Sequence, residues 1–296
     1  MSKSRSKPKT TEEAQYKRLL RENTPPKSTY AKYLRAVTRF GASCVELANS
    51  GAESWKQIPV QEFNVVKSEL FGHDYLVGYD DPGWLASIAP GCDAIATPEI
   101  RIGRLASPPL VLVPSAKRRT KTTAFRSVIE HEFAHVNQAI LGRFPDSAGF
   151  AKKVIPTLSA HTWAEYEANF IQLFRWPQLF EEPRRLGVPF DDWCALRGYT
   201  QALEKLVAVI FEGKLSPDQV AHFLRDCPKK LPGEFRRMGI NEAHGHRFAA
   251  QLTDHLAIAV TQMINAGMRP KSPSEGFNYL AKWIKDAISP GTGGNN

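Results

Sequence analysis

Three things are scarce in this chain. No apolar run approaches the roughly 20 residues a membrane-spanning helix needs, and the N-terminus carries Lys and Arg where a secretory signal would place its apolar region. Cysteine is sparse as well. Cys44, Cys92, Cys194 and Cys227 lie far apart and form no CxxC pair, so neither a disulfide framework nor a zinc knuckle is indicated, and buried free thiols are expected. Acidic residues are outnumbered: 30 Asp and Glu face 39 Lys and Arg, for a formal charge of +9. That balance favours nucleic acid or an anionic surface without specifying either. A soluble, cytoplasmic protein with no membrane partner is the expectation.

What is present is an ordinary globular composition. The 296 residues are 42% hydrophobic, enough for one large core. Residues 1–28 are the exception, rich in Lys, Ser, Thr and Pro, and read as a disordered basic tail that offers a contact to nucleic acid. From residue 29 to residue 289 a single domain is expected, with residues 290–296 a second frayed tail. Tyr30, Tyr33, Leu34, Val37, Phe40, Cys44 and Leu47 recur at helical spacing. Short apolar runs at Tyr75 to Tyr79, Ile100 to Ile102 and Leu110 to Val113 predict strands of a small sheet within a lobe spanning 29–121. The lobe from 122 to 289 predicts helices at about 123–141, 159–174, 191–213, 216–226, 244–266 and 275–288.

The chemistry concentrates in His131-Glu132-Phe133-Ala134-His135. Residues four apart share one face of a helix, so both imidazoles can aim at one tetrahedral metal. Glu132, next to the first histidine, is then placed to act as general base on a water whose pKa the metal lowers. Thr122 or Thr123 can cap this helix. Phe125, Val128, Ile129, Phe133, Val136 and Ile140 give it an apolar surface, and Gly142 offers a stop.

A third ligand is needed. The metzincin continuation would place Gly and His where Gln138 and Leu141 stand, which excludes that class. A glutamate from a second helix is the other solution, and Ala164-Glu165-Tyr166-Glu167-Ala168-Asn169 follows His135 by 30 residues at Glu165. Glu167 competes with Glu165 but projects from a different side of the helix. The Glu165-x-x-Ala168-Asn169 segment resembles the ExxA(N/D) motif of ImmA/IrrE-like zinc peptidases, and is similar to the NExx(S/A)D motif of thermolysin-like gluzincins. The resemblance covers Ser127 to Phe170 and implies a zinc ion held by His131, His135 and Glu165, with Asn169 holding a ligand imidazole through its N–H. It implies an α+β zincin-like metallopeptidase fold: a small sheet, the active-site helix and a helical C-terminal lobe.

Other residues compete for places in the site. His161 shares a face with Glu165 and would line the cleft, bind metal or serve as an ordinary helix-surface residue. Ala243-His244-Gly245-His246-Arg247-Phe248 resembles the HGxxF motif of SprT-like metalloproteases, which implies His244 as third ligand in a protease acting on DNA-bound proteins; here it follows His135 by 109 residues. Tyr166, His244 and His246 are candidates for stabilising the oxyanion. The run Pro108 to Pro114 reads either as a cleft-edge strand that pairs with an extended peptide or as a central buried strand. The expectation is a zinc metalloendopeptidase acting on a peptide or protein substrate. A zinc-binding regulatory module without turnover is the alternative from another class.

Overall fold

The computed structural model describes residues 11–53, 60–80, 83–85, 92–102, 104–211 and 217–237. Two helices open it, α1 (Thr11–Glu22) and α2 (Lys27–Asn49). Six strands follow: β1 (Val60–Lys67), β2 (Asp74–Asp80), β3 (Ile95–Thr97), β4 (Ile100–Ile102), β5 (Leu105–Ser107) and β6 (Leu110–Val113). The chain then becomes helical through α3 (Thr123–Ile140), α4 (Val154–Arg175), α5 (Glu181–Arg185), α6 (Phe190–Phe211) and α7 (Pro217–Arg237). The class is therefore α+β, mostly helical with a small mixed sheet. Among the described residues no helix is long and apolar enough to cross a membrane.

The sheet runs β1-β2-β6-β3. β6 pairs parallel with β2 and antiparallel with β3, while β4 and β5 form a separate hairpin. Of the two readings of the Pro108 to Pro114 run, the edge strand is therefore the wrong one. Leu110, Val111, Leu112 and Val113 are all buried, and a strand apolar on both faces belongs in the middle of a sheet. The edge beside it is β3. One core cluster extends from Leu19 through the sheet to Leu231, so the strand-bearing and helical parts share it. Cys44 and Cys194 are buried free thiols as expected, whereas Cys92 is exposed.

The disordered tail expected over residues 1–28 needs correction from Thr11 onward. Leu19 is fully buried, and Tyr16 stacks on Phe174 of α4 with ring centroids 4.4 Å apart. Charge hid this helix from a composition reading. Its Lys and Arg stay on the exposed face, Lys17 pairing with Glu13 and Arg18 with Gln15, while three or four well-spaced apolar residues suffice to dock it. Residues 1–10, and the expected helices at 244–266 and 275–288, lie outside the described residues.

Two devices fix α3 against the sheet. Phe133 stacks on Tyr75 of β2 at 4.3 Å, and the Tyr75 hydroxyl donates to Asn137 Oδ1 at 2.7 Å. About one turn earlier in the helix Glu130 is buried and accepts from Ser68 Oγ and the Glu69 N–H, both at 2.6 Å. Burial pushes its carboxyl up to about 7, against the opposing pull of those hydrogen bonds. Between the ordinary value of 4.5 and about 7 the folded chain keeps a proton that the unfolded chain releases. Stability therefore falls as pH rises through that window, by on the order of 3 kcal/mol. Glu130→Gln keeps an acceptor for the Glu69 N–H and cannot ionise. Thermal unfolding at about pH 5 and about pH 8 is expected to show the variant gaining on wild type at the higher pH; an unchanged gap would place that proton elsewhere.

Candidate metal centre

Helix α3 begins where Thr122 accepts the Phe125 N–H at 3.2 Å, an N-cap that satisfies one of the unpaired donors of the first turn. It ends in a Schellman turn. Gly142 takes φ of 68°, its N–H reaches the Ala139 carbonyl, and the Arg143 N–H reaches the Gln138 carbonyl at 2.7 Å. That turn directs Arg143 back towards α4. Between the caps, His131 and His135 lie one turn apart on a buried face.

Across from them α4 presents Glu165, also buried. The Nε2 atoms of His131 and His135 lie 3.1 Å apart, and each is 3.1 to 3.2 Å from Glu165 Oε2. Zinc bonded tetrahedrally to N and O at 2.0–2.1 Å would set its ligand atoms about 3.3 Å apart, so this triangle fits the ion without rearrangement. Among the described residues this is the single group of three or more His, Cys, Asp or Glu that could hold a metal.

The tautomer of one ligand follows from its neighbours. Gln138 Nε2 donates to the Ala164 carbonyl at 3.0 Å and to Glu167 Oε2 at 3.2 Å, so its amide oxygen faces His135. His135 Nδ1, 2.8 Å from that oxygen, must then carry the hydrogen. Its Nε2 lone pair is left for a metal. Glu167 anchors this relay: both its oxygens lie 2.7 Å from Arg143, and Asn23 donates to it at 3.1 Å. Glu167 thus belongs to the support and Glu165 to the donor set. The Asn23 contact ties the end of α1 to the same network.

Glu165 is drawn two ways. Burial pushes its carboxyl up, but the charges of Lys205 and His135 and the close contacts with both imidazoles outweigh burial and hold it well below the usual range. Burial likewise pushes Lys205 down, and Glu165 overcomes it to raise the ammonium. Burial lowers His131, whereas at His135 the Glu165 charge prevails over burial and raises it. Lys205, from α6, places Nζ 2.7 Å from Glu165 Oε1 and 5.3 Å from the centre of the Phe144 ring.

Glu132 lies outside the donor triangle. Its Oε2 accepts the Ala96 N–H of β3 at 2.6 Å, and among the described residues no hydrogen bond engages Oε1. In β3, Ile95, Ala96 and Thr97 stand opposite Leu112, Val111 and Leu110. A residue whose N–H meets Glu132 turns that group away from β6, so the edge of the sheet that no strand among the described residues covers borders the site.

Several expected residues fall elsewhere. Tyr166 is a correction: its hydroxyl donates to Asp191 and accepts from Gln15 at 3.4 Å, because one residue beyond Glu165 the helix has turned about 100°. The expected bond from Asn169 to a ligand imidazole is not formed. Asn169 donates to Gln201 at 2.7 Å, while its Oδ1 and His131 Nδ1 are both buried without partners. His161 lies flat against Phe150 at 5.0 Å, outside the triangle, and is pushed down to about 3 by burial and then by the Lys205 charge. His244 and His246 lie outside the described residues. Lys205 was missed, since a lysine on a helix reads as a solvated face. Comparison with protein-family models, curated proteins and solved structures gives no match.

Proposed function

We propose that this chain is a zinc-dependent peptidase of the zincin type, in which His131, His135 and Glu165 hold the metal and Glu132 is the general base. The observation that carries this reading is the triangle of Nε2, Nε2 and Oε2 atoms, 3.1 to 3.2 Å on a side, contributed by two packed helices with a carboxylate beside it. Zinc bound there would supply Lewis acidity, lowering the pKa of a water and polarising a carbonyl.

The chain's own residues do the rest. Glu132 takes one proton from the attacking water as its oxygen bonds to the carbonyl carbon. When the C–N bond breaks, the electron pair leaves with nitrogen and Glu132 returns the proton to it, giving a carboxylic acid and an amine; the remaining water proton then passes from acid to amine, leaving a carboxylate and an ammonium. A peptide is favoured as substrate because, among the described residues, no strand covers the edge of β3 beside Glu132, to which an extended chain can add as a further strand.

The test is elemental analysis of the purified full chain with hydrolysis of a quenched fluorescent peptide library. One zinc per chain is expected, with cleavage abolished by 1,10-phenanthroline and restored by added zinc. A protein that takes up no metal overturns the site, and one that carries full zinc without cleaving any peptide overturns the peptidase.

A further inference from the structure

A peptidase of this kind needs a group opposite its base to receive the negative charge that builds on the carbonyl oxygen. Of the sequence candidates for that work, Tyr166 commits its hydroxyl to Asp191, and His244 and His246 lie outside the described residues. Lys205 stands at the margin of the donor triangle. Among the described residues its one hydrogen-bond partner is Glu165 Oε1 at 2.7 Å, the oxygen turned away from the two imidazoles, and an ammonium carries three N–H donors. Two donors therefore remain at the margin of the triangle. The side chain keeps 35% of its surface exposed, so a substrate can reach it, while the Phe144 ring packs against it from 5.3 Å and limits its sway.

The backbone holds this lysine firmly. Gly198 lies two turns before Lys205 on the same face of α6. A Cβ there would come within 2.8 Å of the Thr162 carbonyl oxygen and of the Tyr166 nitrogen, both on α4. Only glycine permits so close an approach, and the consequence is that the Lys205 face of α6 is pressed onto the helix that carries Glu165.

We propose, on the basis of the peptidase reading above, that Lys205 is the electrophilic catalytic residue of this site, held by Glu165 and donating to the carbonyl oxygen as it becomes an oxyanion. The ammonium keeps its proton throughout. As water attacks, the carbonyl π pair moves onto oxygen and is met by a Lys205 N–H; as the C–N bond breaks, the pair returns and the contact relaxes. The same ammonium keeps the outer oxygen of Glu165 occupied, so Oε2 alone would be left for a metal.

The experiment compares wild type, Lys205→Met and Lys205→Arg on the library peptide that wild type cleaves fastest. Zinc content is measured by elemental analysis, zinc affinity by chelator competition, and binding by the phosphinic analogue of that peptide. Lys205→Met is expected to keep one zinc, to lose kcat by about 10²- to 10³-fold with KM within roughly threefold, and to lose phosphinic-analogue affinity by a similar factor. Lys205→Arg, which keeps the charge and several donors, should recover part of the loss and shows that the position tolerates replacement. If kcat in Lys205→Met returns to wild type once excess zinc is added, Lys205 only holds the ligand and the proposal fails. It fails equally if kcat is unchanged. A wild type that binds zinc and cleaves nothing removes the peptidase reading itself, a result visible before any lysine variant is made.

Discussion

Glu132→Gln is expected to reduce peptide hydrolysis on the order of 10³-fold or more while one zinc per chain remains bound. The size of the effect follows from the role, since removing a positioned base forfeits proton transfer in both attack and collapse, worth about 10²- to 10⁴-fold. Retention of the metal follows from the geometry. The three atoms that converge are His131 Nε2, His135 Nε2 and Glu165 Oε2, and Glu132 is not among them. The fold should also persist: the amide oxygen of glutamine can accept the Ala96 N–H that Glu132 Oε2 now accepts at 2.6 Å. Elemental analysis and initial rates on the same preparation check this. Loss of stoichiometric zinc would make Glu132 part of the metal's support, and activity within tenfold of wild type would move the base to another residue.

How far the site was legible depended on whether its determinants are local. The helix at 123–140 announced itself through its Thr cap, its periodic Phe, Val and Ile and its terminal glycine, and the two histidines came with it. Glu165 was legible as a candidate because a returning helix brings a carboxylate back to the two histidines at a predictable remove. Features set by three-dimensional neighbours were not. A run such as Leu110 to Val113 says that both faces are buried without saying which strands flank it, and the three residues of β3 are too few to show a period. Tyr166 read as a site residue from its adjacency to Glu165, yet one step along a helix sends it towards Asp191 instead. Lys205 and Gly198 were silent for the same reason. Their meaning lies in the packing of α6 on α4, which no local pattern encodes.

That same packing separates two glutamates that the sequence held in competition, and their alanine variants are expected to differ sharply. Glu165→Ala removes one of three donor atoms and leaves Lys205 without its 2.7 Å partner, so zinc should no longer co-purify with the chain. Glu167→Ala leaves the donor triangle whole. It deprives Arg143, Asn23 and Gln138 of a common acceptor, however, and with Gln138 free to turn its amide the hydrogen on His135 Nδ1 loses its fixed partner. Removing such an orienting residue weakens a metal site about 10- to 100-fold. Losing the charge-assisted bonds of Arg143, which stays solvated and keeps the Glu22 carbonyl at 3.0 Å, adds a stability loss of about 1 to 3 kcal/mol. Zinc titration with a competing chelator should therefore give no measurable site in Glu165→Ala, a weakened one in Glu167→Ala, and an unchanged one in His244→Ala. Full zinc in Glu165→Ala together with loss in His244→Ala would reassign the third ligand and draw the protein towards the SprT-like pattern. Equal, wild-type affinity in Glu167→Ala would mean that the relay through Gln138 does not orient His135.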